Sequence, residues 1–120
     1  MKVTYYQRGE TLDYTPDENV APGSVVNLGT RIGVAAAGIA AGCTGALQMT
    51  GVFAMTKANT EAITMGAAVY YDADTDVITA VASKEVTEGE AKKTVNNTPA
   101  GYAAADADTA ATSVLVKLLG

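Results

Sequence analysis

Ala46-Leu47-Gln48-Met49-Thr50-Gly51-Val52-Phe53-Ala54-Met55 decides how this chain folds. Leu47, Met49, Phe53 and Met55 fall on one face, with Gly51 between them; Gln48, Thr50 and Val52 fall on the other. Successive side chains of a strand point to opposite faces, so a period of two marks a half-buried strand. A helix would instead need apolar residues three and four apart. The stretch is predicted as a single strand.

Working outward, no residue from Ile32 to Thr56 is charged. That length could cross a bilayer, and Gly38 and Gly42 have the spacing of a helix-pairing motif. The run is mainly Ala, Gly and Thr, which add little to insertion compared with Leu, Ile and Phe. With the alternation from Leu47 onward, the expectation is no membrane span. Further strands are predicted at 2–7, 11–15, 24–28, 31–37, 67–71, 77–81, 100–105 and 113–119, where β-branched and aromatic residues lie between Gly, Pro and Asp breaks. Asp72-Ala73-Asp74-Thr75-Asp76 is a hairpin loop, and Pro22-Gly23 suits a type II turn. Residues 57–66 hold at most a short helical turn, capped by Asn59 or Thr60. The charged segment 83–97 reads as a surface excursion. Gly33-Val34-Ala35-Ala36-Ala37 is echoed by Gly101-Tyr102-Ala103-Ala104-Ala105, and at the same offset Thr44 and Leu47 match Thr112 and Leu115. Two related β units would produce this, and so would chance in an Ala-rich chain.

At 120 residues the whole chain, 1–120, is expected to be one domain. The fold class is all-β: a small β barrel or sandwich, with a β-clip as one form, and at most one short helix. Large apolar side chains are scarce, with one Phe, no Trp and six Tyr. A core of Ala, Val, Leu and Met buries less area per residue, at roughly 25 cal/mol per Å². Self-association would supplement it. The net charge of −5 and scattered Lys and Arg argue against a nucleic-acid partner.

The residues also narrow the chemistry. There is no His, so neither a Ser-His nor a Cys-His nucleophile can exist. The acids lie in turn-like segments, where solvated carboxylates are the default, and no enzyme is expected. Asp72, Asp74 and Asp76 imitate the start of a calcium loop, but Val77 stands where its Gly belongs and Ser83 where its Glu belongs. No metal or other cofactor is expected. The lone Cys43 sits among small residues and reads as packing. Met1 to Arg8 lacks the apolar core of a signal peptide, so the expectation is a product made in the cytoplasm. Residues 1–15 are either a first hairpin or an N-terminal arm that the break at Pro16-Asp17-Glu18-Asn19 frees from the body. Within them Tyr5, Tyr6, Arg8 and Tyr14 are the candidate interface residues, since Tyr offers apolar area with a polar tip. Of each consecutive Tyr pair, one is expected to pack inward.

Several segments, in order, resemble a known family. They are Leu12-Asp13-Tyr14-Thr15, Ala21-Pro22-Gly23-Ser24-Val25-Val26, Gly33-Val34-Ala35-Ala36 and Thr50-Gly51-Val52-Phe53-Ala54-Met55-Thr56-Lys57-Ala58. Gly66-Ala67-Ala68-Val69-Tyr70-Tyr71-Asp72, Gly101-Tyr102-Ala103 and Val114-Leu115-Val116-Lys117-Leu118 follow. The chain is similar to bacteriophage capsid cement, or head decoration, proteins, although its 84–93 stretch is longer than that pattern. The resemblance implies a non-enzymatic virion protein. It would bind the major capsid protein on the outer surface of the capsid, as a homo-oligomer and most often a trimer, and stabilise the shell. The alternatives are another virion surface protein, such as a head-fibre or tail component, or a carbohydrate-binding module using Tyr70 or Tyr71.

Overall fold

In the computed structural model, the alternation at 46–55 runs through two strands rather than one. The structure describes residues 1–118; Leu119, expected to end the last strand, lies outside them. In chain order the strands are β1 (Thr11–Tyr14), β2 (Ser24–Asn27), β3 (Ile32–Ala35), β4 (Gly45–Gln48), β5 (Val52–Thr56), β6 (Ala68–Asp72), β7 (Val77–Thr79), β8 (Ser83–Glu88), β9 (Ala91–Asn96), β10 (Thr98–Ala103) and β11 (Ser113–Leu118). Strand β4 lies in a four-stranded sheet of order β1-β4-β3-β2, and β5 at the edge of a five-stranded sheet of order β5-β11-β10-β6-β7. The chain changes sheets at Met49-Thr50-Gly51, where Gly51 has φ +114°, a conformation that favours glycine. Leu47, Met49 and Met55 are buried and Thr50 and Val52 exposed on either side of the switch. The side-chain parity therefore survives while the hydrogen-bond partners change.

The architecture is all-β, with no helix among the described residues and no closed barrel. It fits a small sandwich. Residues 57–66 form turns around an isolated bridge between Ile63 and Ala107. The strand expected at 2–7 does not form, and β1 pairs with β4 instead. No first hairpin forms: β1 pairs with β4 on one side, and its other side is the open end of the sheet. Segment 83–97 is a two-stranded hairpin rather than a loop, paired from Ser83↔Asn96 to Glu88↔Ala91. Its Thr and Val residues favour strands, and Gly89 at φ +62° makes the turn.

The echo in the sequence is a structural repeat. Sheet order β1-β4-β3-β2 recurs as β5-β11-β10-β6, with β7, β8 and β9 inserted between the last two in sequence. The connecting hydrogen bonds recur too. Gly23 N–H donates to Ala35 O at 2.6 Å and Gly66 N–H to Ala103 O at 2.7 Å. Met49 N–H donates to Glu10 O at 2.9 Å and Leu118 N–H to Gly51 O at 3.0 Å. Val20 bridges Ile39 just as Ile63 bridges Ala107. Each unit carries its own core: Val26, Ala35, Ile39, Leu47 and Met49 in the first, and Val69, Ala103, Ala107, Val116 and Leu118 within the larger second. Register shifts two sequence matches by one residue, Thr44 to Ser113 and Leu47 to Val116. Tyr102 pairs with Lys117 where Val34 pairs with Gln48, so buried Leu47 corresponds to buried Val116, not to exposed Leu115. Ile32 and Val34 of the first unit pack into the second core and join the two. Each fully buried Ile, Leu or Val contributes about 1.5–3 kcal/mol.

Candidate interaction surfaces

Residues 1–9 form an arm without strand structure. Tyr5 and Tyr6 are 79% and 86% exposed and Val3 81%, so neither Tyr of this pair packs inward. No strand forms there, so no core face is offered to either ring. Arg8 makes a solvent-exposed ion pair with Glu10 at 3.0 Å, worth little by itself. Tyr14 is apart from these three. It is half-buried at the end of β1 against the first unit's core. The structure thus leaves Tyr5, Tyr6 and Arg8 together on the arm and uses Tyr14 chiefly for packing.

A second surface was not singled out from the sequence. On the outward face of the five-stranded sheet, Tyr102 and Val52 flank Lys117, and Leu115 lies two residues along the same strand. Tyr102 is 46%, Val52 52% and Leu115 43% exposed. The clue was the alternation of Val114, Val116 and Leu118 with Leu115, Lys117 and Leu119, which placed apolar residues on both faces. Exposed apolar side chains grouped around one Lys give this face area for contact with another surface.

The acidic hairpin loop is a structural device. Lys84 Nζ bridges Asp72 and Asp74 at 2.9 and 3.0 Å, tying β8 to the 72–76 turn. Burial alone would raise the Asp72 carboxyl, but the hydrogen bonds from Lys84 and from the Asp74 N–H outweigh it and hold the group below the usual carboxylate range. Hydrogen bonds to the Asp72 and then the Asp74 carboxylates hold the Lys84 ammonium above its ordinary value. Tyr71 OH donates to Asp76 at 2.5 Å; burial first, and then that bond, push its phenol up to about 12. Among the described residues no cluster of three or more acidic, Cys or His side chains is arranged to hold a metal, and no helix is long and apolar enough to cross a membrane.

The exposed rings of the arm and the apolar side chains on the sheet face are both open to contact with another surface. The chain matches the phage cement proteins over residues 6–118. It belongs to that family. As a phage cement protein it is a capsid-associated structural component that stabilises the phage shell. The match begins within the arm and ends with β11, so it takes in both units and the inserted hairpin. No curated protein and no solved structure matches the chain.

Proposed function

We propose that this cement protein binds the outer surface of the assembled capsid through the major capsid protein, as a homotrimer, and performs no catalysis and needs no cofactor. The family match across nearly the whole chain carries the reading. The physics is linkage: a ligand that binds the assembled lattice and not free subunits stabilises the lattice by mass action. A trimer holding several capsid subunits gains from effective concentration, so each contact can be weak. The net charge of −5 suits a protein kept away from packaged DNA. The exposed arm residues Tyr5, Tyr6 and Arg8 and the Val52–Tyr102–Leu115 face supply contact area, with Tyr14 holding the arm's root to the body. Tyr70 and Tyr71 are half-buried, and Tyr71 is bonded to Asp76, which disfavours a sugar-stacking role. The test is to strip the protein from virions and heat the shells. Bare shells should release DNA at a lower temperature, and adding back the purified chain should restore retention. Equal release with and without it would overturn the proposal.

A further inference from the structure

The two units differ at one edge. In the second, β7 extends the sheet beyond β6, pairing Tyr70↔Thr79, Tyr71↔Ile78 and Asp72↔Val77. In the first, β2 ends the sheet and no described strand lies beyond it. The second unit also shows what holds such a strand. Glu61, in the loop before β6, accepts hydrogen bonds from the Thr79 hydroxyl at 2.5 Å and the Ala80 N–H at 2.8 Å. Counting back from the matched turn glycines, Glu61 stands five residues before Gly66, and Glu18 stands five before Gly23. Glu18 is exposed and lines a groove of about 550 Å³ between the Pro16–Ala21 loop and the β2 edge, Ser24 to Asn27.

We propose that this groove is a strand-docking site and that residues 2–8 of a second copy occupy it. The proposal rests on reading the arm as a contact segment and commits it to a neighbouring protomer. The arm contains the same pair of a β-branched apolar residue followed by Thr as β7: Val3-Thr4 stands for Ile78-Thr79. Laid on the first unit in the β7 register, Thr4 pairs with Asn27 and Val3 with Leu28. Val3 is 81% and Leu28 39% exposed, so the contact covers two apolar side chains now facing water. The Thr4 hydroxyl then reaches Glu18 as Thr79 reaches Glu61. Residues 2–8 include Lys2 and Arg8 and no acid, whereas Asp17 and Glu18 line the groove. The edge supplies backbone groups: Leu28 N–H donates to Arg31 O at 2.9 Å, and the alternation of an antiparallel ladder turns those of Val25 and Asn27 away from β3. A strand antiparallel to β2 runs parallel to β1. A chain's own arm leads directly into β1 and would have to double back over its length, whereas a second copy's arm approaches freely. The contact joins unlike surfaces, so it repeats head to tail, and it makes a ring where the rotation between copies closes.

The experiment uses the full chain with Cys43→Ser in two populations, one carrying Val3→Cys and one Leu28→Cys. Directly opposed strand residues lie within disulfide reach. Mixing and mild oxidation should join a Val3→Cys chain to a Leu28→Cys chain. Sedimentation of the unaltered chain should show an oligomer. Deleting residues 2–8 should reduce it to monomer, and Glu18→Ala should raise its dissociation constant about tenfold, the loss of one charged hydrogen bond. Both changes lie on exposed groups, so folding is checked only by an unchanged dichroism spectrum. A monomeric unaltered chain, an oligomer indifferent to both changes, or no disulfide between the Val3→Cys and Leu28→Cys chains would overturn the proposal. Capsid retention is a separate readout: arm exchange can fail while the cement role stands, and the reverse.

Discussion

Replacing Gly101 with Ala should be among the most damaging single-methyl changes in the molecule. Gly101 sits at the bulge where β10 shifts register against β6, with φ +147°. A Cβ there would lie 1.9 Å from the Lys117 carbonyl oxygen and 3.2 Å from the Leu118 Cα. Both belong to the backbone of β11, so no side-chain rotation relieves the overlap, and β11 must withdraw by more than an ångström. The unfavourable φ alone costs about 1–3 kcal/mol. Withdrawal weakens the Gly101↔Leu118 and Tyr102↔Lys117 pairings, at roughly 1 kcal/mol per hydrogen bond. The sum is about 3–5 kcal/mol, or a Tm lowered by roughly 10–20 °C for a domain of this size. Thermal unfolding followed by far-ultraviolet dichroism measures it. Gly89→Ala is the control: its φ is +62° but a Cβ there meets nothing within 4 Å, so it should cost only about 1 kcal/mol. If Gly101→Ala costs no more than Gly89→Ala, the β10–β11 packing described here is wrong.

Other outcomes follow from single contacts. Lys57 is 3% exposed, and its Nζ donates to the Ala58 carbonyl at 2.7 Å and to Thr109 O at 3.4 Å; Lys57→Met leaves these carbonyls without their donor and should cost about 1–3 kcal/mol in chemical denaturation. The Asp72 carboxyl is held low when folded, so its contribution is fully present above the ordinary carboxylate range and is lost as pH falls through the lowered value. Asp72→Asn should therefore lower stability at neutral pH and flatten the acid side of the stability curve, as read from urea midpoints across pH. Ultraviolet titration should find one phenol near pH 12, absent in Tyr71→Phe. Because that value is raised, the stability Tyr71 adds holds below pH 10 and fades between roughly 10 and 12.

The all-β class was legible because burial of alternate residues leaves a mark at Leu47, Met49 and Met55 that no helix would leave. The sheet switch at Gly51 was not legible, because changing hydrogen-bond partners leaves side-chain parity intact. The repeat showed only where small residues coincide at Gly33–Ala37 and Gly101–Ala105. Elsewhere the two units use different side chains for the same backbone bonds, as at Val20 and Ile63, and insertions shift the offset. The β8–β9 hairpin was hidden by its charge, since a hairpin standing away from the core needs no apolar face to advertise it. The burial of Lys57 was not legible either, because the carbonyls of Ala58 and Thr109 that meet its ammonium are brought together only by the fold. The arm's residues were found, but the partner of β1 was not: it is β4, a pairing 31 or more residues distant in the chain.

The central claim is that this chain coats the outside of an assembled phage shell. Cryo-electron microscopy of mature capsids stripped of the protein and then incubated with the purified chain tests it most directly. The account predicts new density of β-sandwich shape at repeated positions on the outer surface, touching major capsid protein subunits, and none on dissociated subunits. A bare outer surface at saturating protein, or density only inside the shell, would contradict it.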